Sequence, residues 1–197
     1  MKIIGITGSS GSGKSLVAKI ITDELDAKLI VADEVVKTMQ LPGEEYYKEI
    51  AELFGKDFLS EDGKLNRKKI AQLIFTNMEK RIRINEITEK YVVKEIKRQI
   101  DNSSKNYVVL DVPLLVESGL NKICDYTIAV VSNKDAQIER ICLRDKITKE
   151  EAILRLKVQP DNVFYKNNTD FTIINEGKKD DKFMGRIREI LHKLQQM

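Results

Sequence analysis

Eight residues near the start of the chain, Gly8-Ser9-Ser10-Gly11-Ser12-Gly13-Lys14-Ser15, satisfy the spacing G-x-x-x-x-G-K-[ST] in full. Each residue type in that pattern has a use for a polyphosphate. Gly8, Gly11 and Gly13 let the backbone take conformations with φ > 0, so that successive N–H groups, that of Ser12 included, can converge on one anion. A helix opening near Lys14 adds the unpaired amides of its first turn, through Leu16, and the positive end of its dipole. Lys14 brings a mobile full charge to the β- and γ-phosphates, and the Ser15 hydroxyl is placed to ligate Mg²⁺. The implied chemistry is binding of a nucleoside triphosphate, ATP foremost, with Mg²⁺.

Binding alone does not separate phosphoryl transfer from a switch, a motor or an ATPase, so the remaining chemical residues decide. Asp33 lies just past a short apolar run, at the carboxyl end of a strand where α/β sheets bind ligands. A carboxylate there can take or orient the proton of an attacking hydroxyl, and the single histidine, His192, is too far along the chain's last helix to compete for that task. The other reading of Asp33 is a cap on the following helix. Asp111 closes the strand Tyr107-Val108-Val109-Leu110-Asp111 and fits a carboxylate that holds Mg²⁺ directly or through water, or else a plain turn residue. Arg140 and Arg144 stand i,i+4 on one expected helix and so share a face. Two guanidinium groups there can close over phosphates as charge develops, the alternative being a surface pair with Glu139 and Asp145.

The elements that must position these groups follow from periodicity. Buried strands are expected over 2–7, 27–32, 107–112, 126–131 and 171–174, and helices over 15–25, 44–54, 67–75, 78–99, 134–144, 148–158 and 180–194. Thr148-Lys149-Glu150-Glu151 carries the pattern of a capping box. Strands alternating with helices imply an α/β, three-layer arrangement with a five-stranded, mostly parallel sheet. The expected organisation is a single kinase domain over 1–197. Its nucleotide-binding core is 1–36 and 106–197, with a helical acceptor-binding insertion at 37–105 and a lid at about 141–166.

Bulk properties set bounds on partners. The chain has 197 residues, 42% of them hydrophobic, enough for a packed core without disulfides, and Cys124 and Cys142 lack metal-ligand spacing. The first residues turn from apolar to Gly/Ser too early for a secretory h-region, and no stretch is long enough to span a bilayer. A cytoplasmic protein without membrane attachment is expected, as a monomer or small homo-oligomer. Twelve Lys/Arg stand against five Asp/Glu between Lys64 and Lys105, which reads either as a meeting place for an anionic partner or as solvated helix faces. No aromatic stacking platform is interleaved with those cations, which argues against nucleic acid as the partner.

With these residues in place, the chain resembles the dephospho-coenzyme A kinases over nearly its full length. Val31-Ala32-Asp33 resembles the family's D-A-D segment; Leu53-Phe54-Gly55, Asp62-Gly63-Lys64-Leu65-Asn66-Arg67 and Ile74-Phe75 resemble its L-F-G, D-G-x-L-D-R and V-F sequences. Asp111-Val112-Pro113-Leu114-Leu115-Val116-Glu117 resembles D-x-P-L-L-F-E, and Gln137 to Arg140 with Arg144-Asp145 resembles Q-x-x-R-x-x-x-R-D. Gln159, Lys166, Asp170 and Asn175-Glu176-Gly177 resemble its closing pattern. The resemblance implies ATP-dependent phosphorylation of the ribose 3′-hydroxyl of dephospho-coenzyme A, the last step of coenzyme A synthesis. It implies acceptor contacts from Asp33, Arg67, Pro113, Leu114, Leu115 and Glu117, a lid carrying Arg140, and adenine beside Asn175 to Gly177. Three departures stand out: Val31 for the first Asp of D-A-D, Glu89-Lys90 for a usual His-Pro, and Asn66 where Asp is common. The rival readings are another nucleoside or nucleotide kinase, a catalytically degenerate nucleotide-binding regulator, and a nucleic-acid-associated ATPase.

Overall fold

The strands are short and rich in Ile and Val. Those over 2–7, 107–111 and 126–131 are largely buried on both faces, as parallel strands covered by helices must be, while those over 28–31 and 171–174 expose Lys28 and Ile174. The strands are β1 (Lys2–Thr7), β2 (Lys28–Val31), β3 (Tyr107–Asp111), β4 (Tyr126–Val131) and β5 (Phe171–Ile174), and they form one sheet in the order β2-β3-β1-β4-β5. β1 runs parallel to β3 on one side and β4 on the other, and β4 runs parallel to β5. The computed structural model describes residues 1–177 and 180–196, with the side chains of Lys56, Arg67, Ala71, Ile74, Phe75 and Thr76 outside the described set.

The helices are α1 (Lys14–Leu25), α2 (Ala32–Met39), α3 (Glu45–Phe54), α4 (Arg67–Thr76), α5 (Met78–Asp101), α6 (Lys134–Asp145), α7 (Lys149–Lys157), α8 (Asn162–Asn167) and α9 (Asp181–Gln196). α1 and α9 cover one face of the sheet. Val17, Ala18 and Ile21 from α1, with Phe183, Ile187, Ile190, Leu191 and Leu194 from α9, pack on Ile4, Ile6, Val109, Ile128, Val130 and Ile173. On the opposite face Ala129 and Val131 pack on Tyr165 of α8. The period-2 alternation along β4, with Ile128 and Val130 one way and Ala129 and Val131 the other, gives the three layers. α6 and α7 share a small apolar cluster of their own, Ile138, Ile141 and Ala152.

Two compact units result, one made of 1–30 and 103–197 and the other of 31–102. Within the second, the long α5 packs against α2, α3 and α4. The Tyr46 and Tyr91 rings meet edge to face at 5.9 Å, and the Tyr46 hydroxyl bonds with Thr88 Oγ1 at 3.2 Å. Part of the basic excess between Lys64 and Lys105 is answered inside this unit: Lys90 pairs with Glu49 at 2.9 Å and Lys94 with Glu45 at 2.7 Å, while Arg98 pairs with Glu95 of the same stretch at 2.7 Å. These largely exposed pairs are worth little stability each. Asn66 Oδ1 accepts from the Lys69 amide at 3.0 Å and caps α4, work an Asp would do equally well.

The Cys124 thiol, half-buried at the residue level, is pushed up to about 12, chiefly by burial and secondarily by Asp125 and Asp170, so it is an inert packing residue. Among the described residues no helix is long and apolar enough to cross a membrane.

Candidate active site

The loop from Gly8 to Ser15 joins the buried end of β1 to the first turn of α1. Gly8, Gly11 and Gly13 all have positive φ, of 141°, 73° and 96°. At Gly13, which caps α1, a Cβ would collide with the side-chain amide of Asn175; at Gly8 one would collide with the Val130 carbonyl. The glycines are therefore required both by dihedral and by space. The first turn of α1 carries no acidic side chain, which leaves its positive end for an outside anion.

Side chains from distant parts of the chain grip the outer side of this loop. Arg140 Nη1 donates to the Gly11 carbonyl at 2.9 Å, and also approaches the Ser12 carbonyl at 3.4 Å and Ser132 Oγ at 3.3 Å. Asn175 Nδ2 donates to the Ser12 carbonyl at 2.8 Å, while the Asn175 main-chain carbonyl accepts from Ser132 Oγ at 2.7 Å. Gln137 Nε2 donates to Ser9 Oγ at 2.5 Å and to the Ser10 carbonyl at 3.3 Å. Gln159 holds Ser10 by two bonds, Ser10 N–H to Oε1 at 2.9 Å and Nε2 to Ser10 Oγ at 3.0 Å. The Ser10, Gly11 and Ser12 carbonyls are thus occupied from outside. Against expectation, the Ser12 N–H bonds the Ser9 carbonyl at 3.2 Å while the Ser10 N–H is held by Gln159, so the donors for a ligand fall to the loop's remaining amides. The Ser12 hydroxyl is fully buried with no hydrogen-bond partner among the described residues, a donor suited to an incoming phosphate oxygen.

Lys14 lies in the first turn of α1 and donates to the Ser9 carbonyl at 3.1 Å; Ser15, next to it, is exposed. Leu16 is half-buried against the α1/α9 core. Asp111 ends β3 opposite Ile6, buried to 3% exposure, and its neighbour Val112 donates to the Ile6 carbonyl at 3.1 Å. Thr7 Oγ1 donates to the Pro113 carbonyl at 3.0 Å, which ties the start of the phosphate loop to the turn that follows Asp111. That turn divides its residues. Leu115 is fully buried and would strike any side chain placed at Gly5, so it anchors the segment and is not open to a substrate. Leu114 and Glu117 are exposed and Pro113 is half-buried.

Arg140 and Arg144 share α6, but they are differently employed. Arg140 reaches the loop, whereas Arg144 forks onto Asp145 at 2.7 and 2.9 Å, and Arg155 of α7 reaches the same carboxylate at 2.6 Å. These two guanidinium groups hold the Asp145 carboxyl below the usual carboxylate range. Asn175 is buried, and Gly177, exposed, donates its N–H to Asn175 Oδ1 at 3.0 Å.

Asp33 belongs to the second unit, where it occupies the exposed first turn of α2, two residues beyond the end of β2. The cap of α2 is Val31, without a side-chain bond, so the capping role open to Asp33 falls away. The side chain of Arg67 lies outside the described residues.

Sequence reasoning missed Ser132, Gln137 and Gln159 as residues that hold the loop. Both glutamines were visible in the family motifs they match, Gln137 one helical turn before Arg140 and Gln159 in the closing pattern, but neither residue type nor spacing assigned them to the loop.

Gly13→Ala is expected to cost about 1–2 kcal/mol from the left-handed backbone alone, with the Asn175 amide also forced off Ser12. Thermal unfolding with calorimetric ATP titration should show a lowered midpoint and ATP affinity weakened by about tenfold or more, the worth of one good hydrogen bond to a charged group.

Comparison with known proteins agrees with this geometry. The profile of the Dephospho-CoA kinase family matches residues 2–181. A dephospho-CoA kinase of Carboxydothermus hydrogenoformans is 35% identical over 162 residues, 81% of this chain and 78% of the relative. One of Bacillus licheniformis is 36% identical over 182 residues, 91% of this chain and 90% of the relative. The solved dephospho-CoA kinase from Campylobacter jejuni superposes with a TM-score of 0.68 at 26% identity, covering 98% of each chain. A match over almost the whole chain, with the phosphate loop complete and each of its glycines demanded by the fold, means that the chain belongs to the dephospho-CoA kinase family.

Proposed function

We infer that the chain transfers the γ-phosphoryl group of ATP to the ribose 3′-hydroxyl of dephospho-coenzyme A, giving coenzyme A, the last step of its synthesis. The observation that carries this reading is family membership over residues 2–181 in a chain whose phosphate loop is intact.

In this reading the acceptor oxygen attacks the γ-phosphorus in line, the bond to the β-phosphate oxygen breaks, and ADP leaves. Asp33 orients the hydroxyl and takes its proton. Lys14 and the loop amides lower the energy of the charge spreading over the transferring group and the leaving diphosphate. Arg140, already bonded to the Gly11 carbonyl, sets the loop's shape and adds positive potential from α6. Pro113, Leu114 and Glu117 are the acceptor-side residues of the first unit, with Leu115 supporting them from the core; the acceptor contact expected of Arg67 falls on a side chain outside the described residues. Asn175 and Gly177 lie on the adenine side.

Ser15 and Asp111 suit Mg²⁺: a hydroxyl and a carboxylate are hard oxygen donors, and the ion usually takes one or two protein ligands with phosphate oxygens and water completing its shell. Among the described residues no group of three or more His, Cys, Asp or Glu could hold a metal ion; the two donors would share Mg²⁺ with phosphate oxygens of the nucleotide. Mg²⁺ bound there would neutralise charge on the β- and γ-phosphates. The proposed organisation is a nucleotide-binding core at 1–36 and 106–197, an acceptor-binding insertion at 37–105 and a lid at about 141–166. The proposed setting is the cytoplasm, without nucleic-acid partners.

Steady-state transfer from MgATP to dephospho-coenzyme A, adenosine and AMP tests the assignment. Dephospho-coenzyme A should be used in clear preference. Efficient transfer to adenosine or AMP instead would move the chain to the nucleoside or nucleotide kinases, and ATP binding with no transfer to any acceptor would make it a regulator.

A further inference from the structure

We propose that Gln159 is a positioning residue of the phosphate loop, its side-chain amide holding Ser10 in place and tying the loop to the end of α7. Three observations lead there. First, the loop has little structure of its own. Its internal backbone bonds are Ser12 N–H to the Ser9 carbonyl at 3.2 Å and the first-turn bonds onto the Gly13 carbonyl. With three glycines at positive φ, a Gly/Ser loop this sparsely bonded must be ordered from outside, because its unfolded freedom is unusually large. Second, packing is tight at the glycines but incomplete beside the serines: a cavity of about 160 Å³ is lined by Ser9, Gln137, Leu156 and Gln159 among others, so Ser9 and Ser10 depend on polar bonds there.

Third, Gln159 is itself fixed. It follows the C-cap of α7, donates its N–H to the Leu156 carbonyl at 3.2 Å, and precedes Pro160, which restricts its backbone to extended conformations. Just beyond, Asp161 caps α8 through the Phe164 amide at 2.8 Å, and Asn162 donates to the Ser132 carbonyl at 2.9 Å. Gln137 and Arg140 grip the loop from α6; Gln159 alone among the four gripping side chains reaches it from the far end of α7. One amide satisfies both the N–H and the hydroxyl of Ser10, so any displacement of α7 is passed directly to the loop apex. The catalytic consequence rests on the kinase reading above; the ordering of the loop does not.

Hydrogen exchange of the full chain without nucleotide tests the ordering. In Gln159→Met, which keeps the bulk but neither bond, amides of residues 9–13 should exchange roughly tenfold faster, as expected when two bonds that close the loop are lost. Peptides from β1 should keep their protection. Gln159→Glu retains an acceptor for the Ser10 N–H and another for its hydroxyl proton, so its loop should exchange as in the wild type. In kinetics, Gln159→Met should raise KM for ATP by a similar factor while KM for the acceptor stays within about twofold, the signature of loop preorganisation. Loop exchange within twofold of wild type, with β1 still protected, would overturn the proposal. Should methionine loosen β1 as well, Gln159→Ala provides the same comparison with less bulk. A wild-type chain that fails to phosphorylate dephospho-coenzyme A would defeat the functional reading while leaving the exchange result intact.

Discussion

Lys14→Ala should leave a folded protein whose turnover is lower by about 10²–10³-fold, the usual cost of removing one preorganised group that stabilises transition-state charge. The two halves of that expectation have separate physical grounds. For the fold, the Lys14 ammonium donates to the Ser9 carbonyl at 3.1 Å, a part-buried bond whose loss costs about 1 kcal/mol. Lys14 also opens α1, where alanine is an excellent helix former. The remaining grips on the loop, from Gln137, Arg140, Gln159 and Asn175, are untouched. For catalysis, no other side chain of the loop carries a full positive charge. Thermal unfolding within a few degrees of wild type, read beside single-turnover transfer, separates the two effects. Near-normal turnover would mean that the nucleotide sits elsewhere.

The second large effect is expected at Asp33. Asp33→Asn should lower kcat by roughly 10²–10⁴-fold, the range for loss of a general base, with ATP affinity little changed. Stability should hardly move. Asp33 is exposed, forms no hydrogen bond or ion pair among the described residues, and contributes to α2 only through the favourable interaction of a carboxylate with a helix N-terminus, worth about 0.3–1 kcal/mol. Asparagine keeps the size and loses the basicity. Calorimetry of ATP binding together with kcat and KM for the acceptor decides the role. A loss confined to KM would make Asp33 a binding residue instead.

The departures from the family pattern are intelligible in the same terms. Val31 ends β2 and caps α2 through its backbone, so a side-chain oxygen there is dispensable for the fold. Lys90, in place of the usual Pro, stays on α5 without breaking it and pairs with Glu49 of α3, near the Tyr91 ring at 4.6 Å. The pair raises the Lys90 ammonium and lowers the Glu49 carboxyl from their ordinary ranges, each mainly through their mutual hydrogen bond. Lys90 is exposed and Glu49 half-buried, and the pairing fastens α3 to α5 only weakly.

Local pattern alone determined a good deal of this protein. The strands at 2–7, 126–131 and 171–174 are found as expected from their apolar runs, and β2 and β3 are each shorter than expected, by a residue at either end and by one residue respectively. Most helices begin and end within two residues of their periodic stretches, and the capping box at Thr148 is formed by both of its bonds. The phosphate loop was legible because its requirements are contiguous: positive φ at glycines, an ammonium and a hydroxyl at fixed offsets. Two helices were not. α2 runs straight out of the apolar stretch ending β2, and its paired valines, Val35 and Val36, read as strand as readily as helix. α8 is only six residues long, too short to show a period, and is held by burial of Tyr165.

Tertiary structure alone decided the strand order, which places β1 between β3 and β4, and the company kept by the loop. Gln137, Arg140, Gln159 and Asn175 lie well over a hundred residues from the serines and glycines they hold. Helical and strand periods couple residues two to four apart, so they announce elements but not which elements meet. Arg140 and Arg144 make the point: one spacing, one helix, yet one guanidinium supports the phosphate loop and the other is bound to Asp145. Their neighbours in space, fixed only when the sheet closes and α6 docks beside it, set that difference.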